Sequence, residues 1–291
     1  MPNFREYSAK LVSMSGMRRV TSTMKMVAAS HLHRAQTELH QPEPFAIMLR
    51  QLSCIMRLDQ FKKHPLCTPK NAKKPRILLM VMCSDRGLCG AFNSTIIREV
   101  RRWHKEQIAE RDAQIQGLYA GLKGYAALWR EIPPCMKSVD LSAHPKIEDT
   151  SVLSTYAMNA FMAGQFDEIW IAGNKFVSTL KHETTIRRLL PYDLAKLDKI
   201  AESKELPTCI IEPLDNRLIE ALMRQWLHYS VYQAQLNRAA SEQASRVMAM
   251  ENATVNLRRM EKELILQRNR ARQAAITNEL TEIVSGAESL G

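Results

Sequence analysis

Apolar residues recur at intervals of three and four along the last quarter of the chain, and this spacing predicts one very long helix. From Leu214 to Ser285 the sequence contains neither glycine nor proline. A helix of that length would extend about 105 Å at 1.5 Å per residue. Pro213 before it and Gly286 after it are typical helix boundaries. The apolar stripe comprises Leu214, Leu218, Ile219, Leu222, Met223, Trp226 and Leu227, followed by Leu236, Ala240, Ala244, Val247, Met248, Val255, Leu257, Met260 and Leu264.

A similar pattern covers a shorter stretch near the N-terminus. Gly16 is the only glycine or proline between Asn3 and Gln41, and helical spacing resumes after Pro42 and Pro44. We therefore expect an N-terminal helical segment over residues 1–61, pairing antiparallel with the C-terminal helix in a coiled coil. Its apolar stripe comprises Leu11, Met14, Val20, Met24, Val27, Ala28 and Leu32.

Between the two helices, short apolar runs alternate with helical segments. A basic, proline-containing linker is expected over residues 62–75, and the C-terminal helix over 214–291. The alternation predicts an α/β domain of doubly wound, Rossmann-like type over residues 76–213, inserted between the halves of the coiled coil. Its expected strands are 77–85, 115–120, 136–141, 167–177, 185–193 and 208–214, and its expected helices are 94–112, 122–131 and 149–164.

The segment "SDRGLCGAFN", residues 84–93, joins a predicted strand to a predicted helix, where a phosphate-binding loop would lie. Only two residues separate Gly87 from Gly90, and no Lys-Ser or Lys-Thr pair follows. A P-loop needs four residues between its glycines, and a dinucleotide fingerprint needs a third glycine. We therefore expect a tight strand-to-helix turn with a left-handed glycine, and no bound cofactor.

The chain is strongly basic, with 41 Lys and Arg against 30 Asp and Glu and a net charge of +11. This balance suits nucleic acid, an anionic membrane surface or an acidic protein partner, and does not choose among them. No apolar stretch reaches the roughly 20 residues needed to span a bilayer, and the N-terminus lacks an apolar signal core, so we expect no export. The cysteines, at positions 54, 67, 83, 89, 135 and 209, show no metal-binding spacing and are expected to be reduced.

Periodicity and composition leave three classes of protein open: a doubly wound enzyme, a basic coiled-coil protein that binds nucleic acid, and a helical shaft. An enzyme is disfavoured because the sequence shows no phosphate loop, nucleophile-base pair or metal cluster. A nucleic-acid binder is disfavoured because acids alternate with the basic residues along the C-terminal helix, without a basic region next to a zipper.

Four segments resemble the gamma subunit of F-type ATP synthases, and the resemblance covers essentially the whole length. They are "MKMVAASHLHRAQ" (Met24–Gln36), "SDRGLCGAFN", "EQASRVMAMENATVN" (Glu242–Asn256) and "NRARQAAITNELTEIVSGA" (Asn269–Ala287). The chain departs from the family at "KHETTIRRLLP", where a Q-x-P sequence is usual, and in its unusually basic linker.

The resemblance implies a non-catalytic central shaft that turns inside a hexamer of alpha and beta subunits. The α/β domain would be the foot, which binds the epsilon subunit and the ring of membrane-embedded c subunits. The chain would bind no cofactor, no metal and no nucleic acid. It would be peripheral to the cytoplasmic face of a bacterial inner membrane or to the matrix face of the mitochondrial inner membrane.

The resemblance also implies specific contact residues. In the family, the Arg and Gln of the "ARQA" motif touch a loop of the beta subunit. Composition alone leaves an alternative for this region, in which it is a frayed helix end without a partner contact. The turn at residues 84–93 would have a structural and interfacial role beside the coiled coil. The implied hexamer contacts are Met24, Lys25, Arg272, Gln273, Thr277, Glu279 and Glu282, and the implied turn residues are Asp85, Arg86, Gly87 and Gly90.

Overall fold

The computed structural model describes residues 4–39, 64–69, 72–136, 138–139, 144–193 and 216–288. It divides the chain into two compact units, one of Met1–Ala29 with Arg246–Gly291 and the other of Ser30–Ser245. Helices α1 (Phe4–Leu39) and α5 (Asn216–Glu288) each contribute residues to both units. The predicted helical segment after Leu39 and the predicted strand 208–214 lie outside the described residues, as do residues 62, 63, 70 and 71 of the predicted linker.

In the first unit, α1 pairs antiparallel with α5. Side-chain contacts join rising residue numbers on α1 to falling numbers on α5, which is the signature of antiparallel pairing. The predicted coiled coil is therefore confirmed. The contacts are Arg18 Nε to Glu261 Oε1 at 3.2 Å, Thr254 Oγ1 to Thr21 Oγ1 at 2.9 Å, and an ion pair between Lys25 and Glu251.

The more buried positions of this unit follow a heptad pattern that differs in part from the predicted apolar stripe. The stripe was wrong at Val20, Met24 and Val27 on α1 and at Val255 and Met260 on α5, all of which are exposed. Polar residues that pair across the helices occupy several seam positions instead, so apolar character alone misplaced the stripe. The seam comprises Leu11, Met14, Arg18, Thr21, Lys25 and Ala28 on α1, and Thr254, Leu257, Glu261, Leu264, Arg268, Ala271 and Ala275 on α5.

The second unit contains a four-stranded sheet in the order β2-β1-β3-β4. Its strands are β1 (Arg76–Met82), β2 (Gln114–Ala120), β3 (Glu168–Phe176) and β4 (His182–Leu190). Strand β1 pairs parallel with both β2 and β3, whereas β4 runs antiparallel to β3. Residues 77–82 of β1 are fully buried, which explains their unbroken apolar run.

Helices cover both faces of this sheet, so the predicted α/β fold is confirmed. Helices α2 (Phe92–Arg111) and α3 (Leu122–Leu128) pack against one face. Helix α4 (Ile147–Met162) and the first part of α5 pack against the other face. The strand predicted at 136–141 is represented in the described residues by a single bridge, between Val139 and Ala120.

The apolar stripe predicted on the first part of α5 is confirmed where the structure describes it. The side chains of Met223, Trp226 and Leu227 are buried. The ring of Trp226 packs edge-on against that of Tyr192, with the two ring centroids 4.7 Å apart. The side chains of residues 214, 218 and 219 lie outside the described part of the chain. Nearby, Leu32 and Ala35 of α1 pack with Ala239, Ala240 and Ala244 of α5.

Candidate partner-binding surface

Most of the large apolar side chains that are exposed in the described residues belong to the first unit. On α1 they include Val12, Met17 and Met26, and on α5 they include Ile265 and Leu266. Soluble proteins rarely expose so much apolar surface in one region unless it binds a partner. Methionine side chains are also flexible enough to fit a surface that changes shape. The coiled coil is therefore the candidate partner-binding surface.

The end of α5 extends beyond its pairing with α1. The antiparallel register places Phe4 opposite residues near Arg272, and every residue from 276 to 285 is exposed. Four apolar side chains here follow helical spacing and share one face, although they are between 44% and 67% exposed. We call this set the C-terminal stripe: Ile276, Leu280, Ile283 and Val284.

The expected contact residues Arg272 and Gln273 lie at the start of this exposed segment, and both side chains are exposed. Within the described residues, the guanidinium of Arg272 forms no ion pair, so it is available to a carboxylate of a partner. Glu279 lies two turns further on the same side of the helix as Arg272, with Ile276 between them. Arg272, Ile276 and Glu279 thus place an exposed cation, an apolar side chain and a carboxylate along one side of the helix.

The remaining expected contacts differ in how available they are. Glu282 and Thr277 are both exposed, and the Thr277 hydroxyl donates to the Gln273 carbonyl at 3.0 Å. Met24 points outward and is 39% exposed. Lys25 lies in the seam, where its hydrogen bond and its charge lower the pKa of Glu251. Lys25 therefore already has an intramolecular partner, and its contact with the hexamer stays a prediction.

The turn at residues 84–93 is held by its own hydrogen bonds. The Ser84 hydroxyl donates to the Arg86 carbonyl at 2.7 Å, and the Asn93 amide nitrogen donates to the Ser84 hydroxyl at 2.7 Å. The Asn93 carbonyl accepts from the Ser84 backbone amide at 3.0 Å. Asp85 accepts from the backbone amide of Leu122, at the start of α3, at 3.0 Å. These polar groups serve the turn itself, which agrees with a structural role.

The backbone of the turn agrees with the expected left-handed glycine. Gly90 has φ of 56°, and Leu88, two residues earlier, has φ of 62°, which was not predicted. Gly87 lies in open space and does not need a positive φ. Gly121 is the most constrained position nearby, since it has φ of 102° and an added Cβ would lie 2.3 Å from the Cys83 carbonyl oxygen. The backbones of the two segments therefore approach each other closely.

In the ranges that the structure describes, no three His, Cys, Asp or Glu side chains are grouped to hold a metal ion. The four described cysteines are free thiols, and burial raises the pKa of Cys67 and of Cys83 to about 12. Within the same ranges, no helix has the length and hydropathy to cross a bilayer.

Two groups of residues escaped the sequence analysis. The first is the C-terminal stripe, whose spacing of four and three is visible in the sequence. The second group is a buried polar set on α5, called here the Arg238 cluster: Gln235, Arg238 and Glu242. The sequence feature that could have revealed this cluster is the i, i+4 spacing of Arg238 and Glu242, beside alanines that are buried.

Comparison with known proteins identifies the family. A family model described as ATP synthase matches residues 3–290. The ATP synthase gamma chain of Trichlorobacter lovleyi is 33% identical over 291 residues, covering 100% of this chain and 99% of its relative. The chain belongs to the ATP synthase gamma chain family. The gamma chain of Bdellovibrio bacteriovorus is 34% identical over 298 residues, with 100% and 99% covered.

Solved structures agree with this membership in the gamma chain family. The central stalk of the Tetrahymena thermophila mitochondrial ATP synthase, solved with its c-ring, gives a TM-score of 0.57 at 27% identity. That match covers 80% of this chain and 99% of the stalk chain. A chain of the Euglena gracilis mitochondrial ATP synthase has the same fold, with a TM-score of 0.69 at 16% identity and 99% and 94% covered. This family member is thus a central-stalk subunit of a membrane-associated ATP synthase.

Proposed function

We propose that this chain is the rotor shaft of an F-type ATP synthase and has no catalytic site of its own. In this proposal, the coiled coil turns inside the hexamer of alpha and beta subunits, where nucleotide is bound. The α/β domain is the foot that binds the epsilon subunit and the c-subunit ring. Ion flow through the ring turns the shaft and drives ATP synthesis, and ATP hydrolysis turns it in reverse.

The observation that carries the proposal is the exposed end of α5. Helix α5 contains neither glycine nor proline before Gly286 and pairs with a second helix over much of its length, so it resists bending. Beyond the paired part, the apolar side chains of the C-terminal stripe favour burial inside the hexamer. Apolar burial has no directional preference, so it does not fix one orientation of the helix. A shaft needs that combination, because it must stay inside the hexamer and still turn.

The proposed contact with a beta-subunit loop uses Arg272 and Gln273, with Thr277, Glu279 and Glu282 nearby. A guanidinium can hold a carboxylate through two parallel hydrogen bonds, and it loses both when the geometry changes. The exposed position of Arg272 supports this role, as does its guanidinium, which forms no ion pair in the part of the chain that the structure describes. A contact of this kind would form in some rotary positions and break in others.

The proposed location is the cytoplasmic face of a bacterial inner membrane, with the matrix face of the mitochondrial inner membrane as the alternative. The relatives from Trichlorobacter lovleyi and Bdellovibrio bacteriovorus support the bacterial location. The complex, rather than this chain, provides the membrane-embedded part. The solved Tetrahymena thermophila structure of a central stalk with a c-ring supports a c-ring as the partner there.

A double substitution tests the contact with the beta subunit. The assembled complex is purified with Arg272→Ala and Gln273→Ala, its subunit stoichiometry is confirmed, and multi-site ATP turnover is measured. We expect turnover to fall while assembly is kept, because each lost hydrogen bond contributes on the order of 1–3 kcal/mol in some rotary positions only. The matched control is Arg259→Ala with Gln267→Ala, which removes the same two exposed residue types elsewhere on α5. Normal turnover in an intact double variant would contradict the contact, and lost assembly would assign it a holding role instead.

A further inference from the structure

We propose that the Arg238 cluster fixes the rotational position of α5 against the carboxyl end of β1. In this view Gln235, Arg238 and Glu242 are positioning residues that let torque pass between the α/β domain and the shaft helix without slip. The inference rests on the proposed rotor function and adds to it the place where the helix is held. All the contacts that carry it lie within the second unit.

The cluster is buried and its hydrogen bonds are short. Arg238 is 2% exposed, and it is the largest of the fully buried side chains in the described residues. Its Nη1 donates to Glu242 Oε2 at 2.7 Å, and its Nε donates to Gln235 Oε1 at 2.9 Å. Gln235 in turn donates from Nε2 to the sulfur of Met82 at 3.4 Å, at the last residue of β1. The chain of contacts therefore runs from the helix to the strand.

A second observation places the same charges at the end of the strand. Cys83, which follows β1 directly, is fully buried. Burial raises the pKa of its thiol most, the charge of Arg238 lowers that pKa, and the charge of Glu242 raises it further. Both members of the ion pair are therefore close enough to Cys83 to affect it. The Arg238 cluster lies where α5 crosses the carboxyl end of the central strand.

Polar and apolar contacts resist rotation of a helix differently. Apolar packing attaches α5 to the sheet and has little directional preference. The α5 residues that form it are Met223, Trp226, Leu227 and Val231. Such a surface allows a helix to roll if its side chains change rotamer. A buried charge is different, because moving it away from its partners leaves it unpaired in an apolar interior. The Arg238 cluster therefore opposes rolling in a way that the apolar contacts cannot.

The positioning role can be separated from a purely structural one. Replacing a buried ion pair by apolar residues of similar volume often leaves the free energy of unfolding unchanged or raises it. The triple variant Gln235→Met, Arg238→Met and Glu242→Leu should accordingly fold and assemble, but it loses the directional contacts. Stability and coupling are then expected to change independently.

The experiment uses the complete ATP synthase in inverted membrane vesicles, with the triple variant in place of the natural chain. ATP hydrolysis and ATP-driven ion uptake are measured together, with proton and sodium uptake both recorded. We expect the ratio of ions moved per ATP to fall at least threefold, with hydrolysis maintained and the melting temperature of the purified chain within a few degrees of the original.

Arg238→Lys, which keeps the charge, should retain an intermediate ratio of ions moved per ATP. The matched control is Arg102→Gln with Glu106→Gln, an i, i+4 ion pair on the solvent side of α2, and its ratio should be unchanged.

An unchanged ratio in the assembled triple variant would overturn the inference. A ratio that falls only in parallel with melting temperature or subunit content would also overturn it, since that result describes a structural role. If the triple variant does not assemble, Glu242→Gln, which keeps the shape and removes one charge, decides by the same ratio. Failure of the proposed function would look different, because vesicles with the natural chain would then show no ion uptake that depends on it.

Discussion

Substitution of the C-terminal stripe gives a quantitative test of whether the exposed end of α5 binds the hexamer. Ile276, Leu280, Ile283 and Val284 are replaced together by Gln, which keeps helix propensity close to that of the original residues. All four side chains are at least 44% exposed, so they contribute little to the fold of the isolated chain. The free energy of unfolding should therefore hardly change, whereas binding to the hexamer should weaken.

The size of the binding effect follows from the exposed fractions. Complete burial of a large apolar side chain stabilises by about 1.5–3 kcal/mol, and about half of each side chain in the stripe remains to be buried. Each substitution should then cost about 1 kcal/mol and the set about 4 kcal/mol as an upper value. That corresponds to about a thousandfold loss in affinity.

The assay titrates the chain into purified alpha and beta subunits and follows both binding and ATP turnover. A matched variant replaces four exposed apolar residues of the α/β domain by Gln, namely Leu122, Val152, Met162 and Leu180. This control should bind the hexamer like the original chain. Binding of the stripe variant within threefold of the original chain would refute the reasoning.

Three further predictions concern the α/β domain and the chain as a whole. In a denaturant titration, Gly121→Ala should lower the free energy of unfolding by about 2 kcal/mol or more, because Gly121 has a positive φ and lies close to the Cys83 carbonyl. Gly87→Ala should leave that free energy nearly unchanged, because Gly87 lies in open space. Burial lowers the pKa of His182 below its ordinary value of 6.5, so the unfolded chain binds a proton more readily than the folded chain. The free energy of unfolding should therefore fall as pH drops through 6.5. His182→Gln should flatten that pH dependence, measured by unfolding at pH 7.5 and 5.5. Isothermal titration of the isolated chain with Mg-ATP should detect no micromolar site, and such a site at residues 87–90 would contradict the account.

Sequence periodicity predicted the parts of the fold in which one physical requirement dominates. The buried strand β1 must be apolar on both faces, so its run of residues was recognisable without any neighbour. The long helix was equally visible, because a stretch free of glycine and proline has few alternatives. The orientation of β4 was not predictable, since its strand pattern does not indicate which neighbour it joins or in which direction.

The heptad seam and the buried charges were harder for a different reason. At Arg18, Lys25 and Glu261, polar residues occupy seam positions because each finds a partner on the other helix. A partner that is more than 200 residues away cannot be read from local spacing. The contact residues at the end of α5 came from resemblance to the family, because exposed side chains leave no periodic signal of what they bind.

Direct observation of rotation tests the central claim most directly. The hexamer of alpha and beta subunits is fixed to a surface with this chain inside, and a bead is attached through Val152→Cys, an exposed position on α4. On addition of Mg-ATP, we predict that the bead turns in one direction at a rate that follows ATP hydrolysis. A bead that stays still while the occupied hexamer hydrolyses ATP at full rate would contradict the proposal that this chain is the rotor shaft.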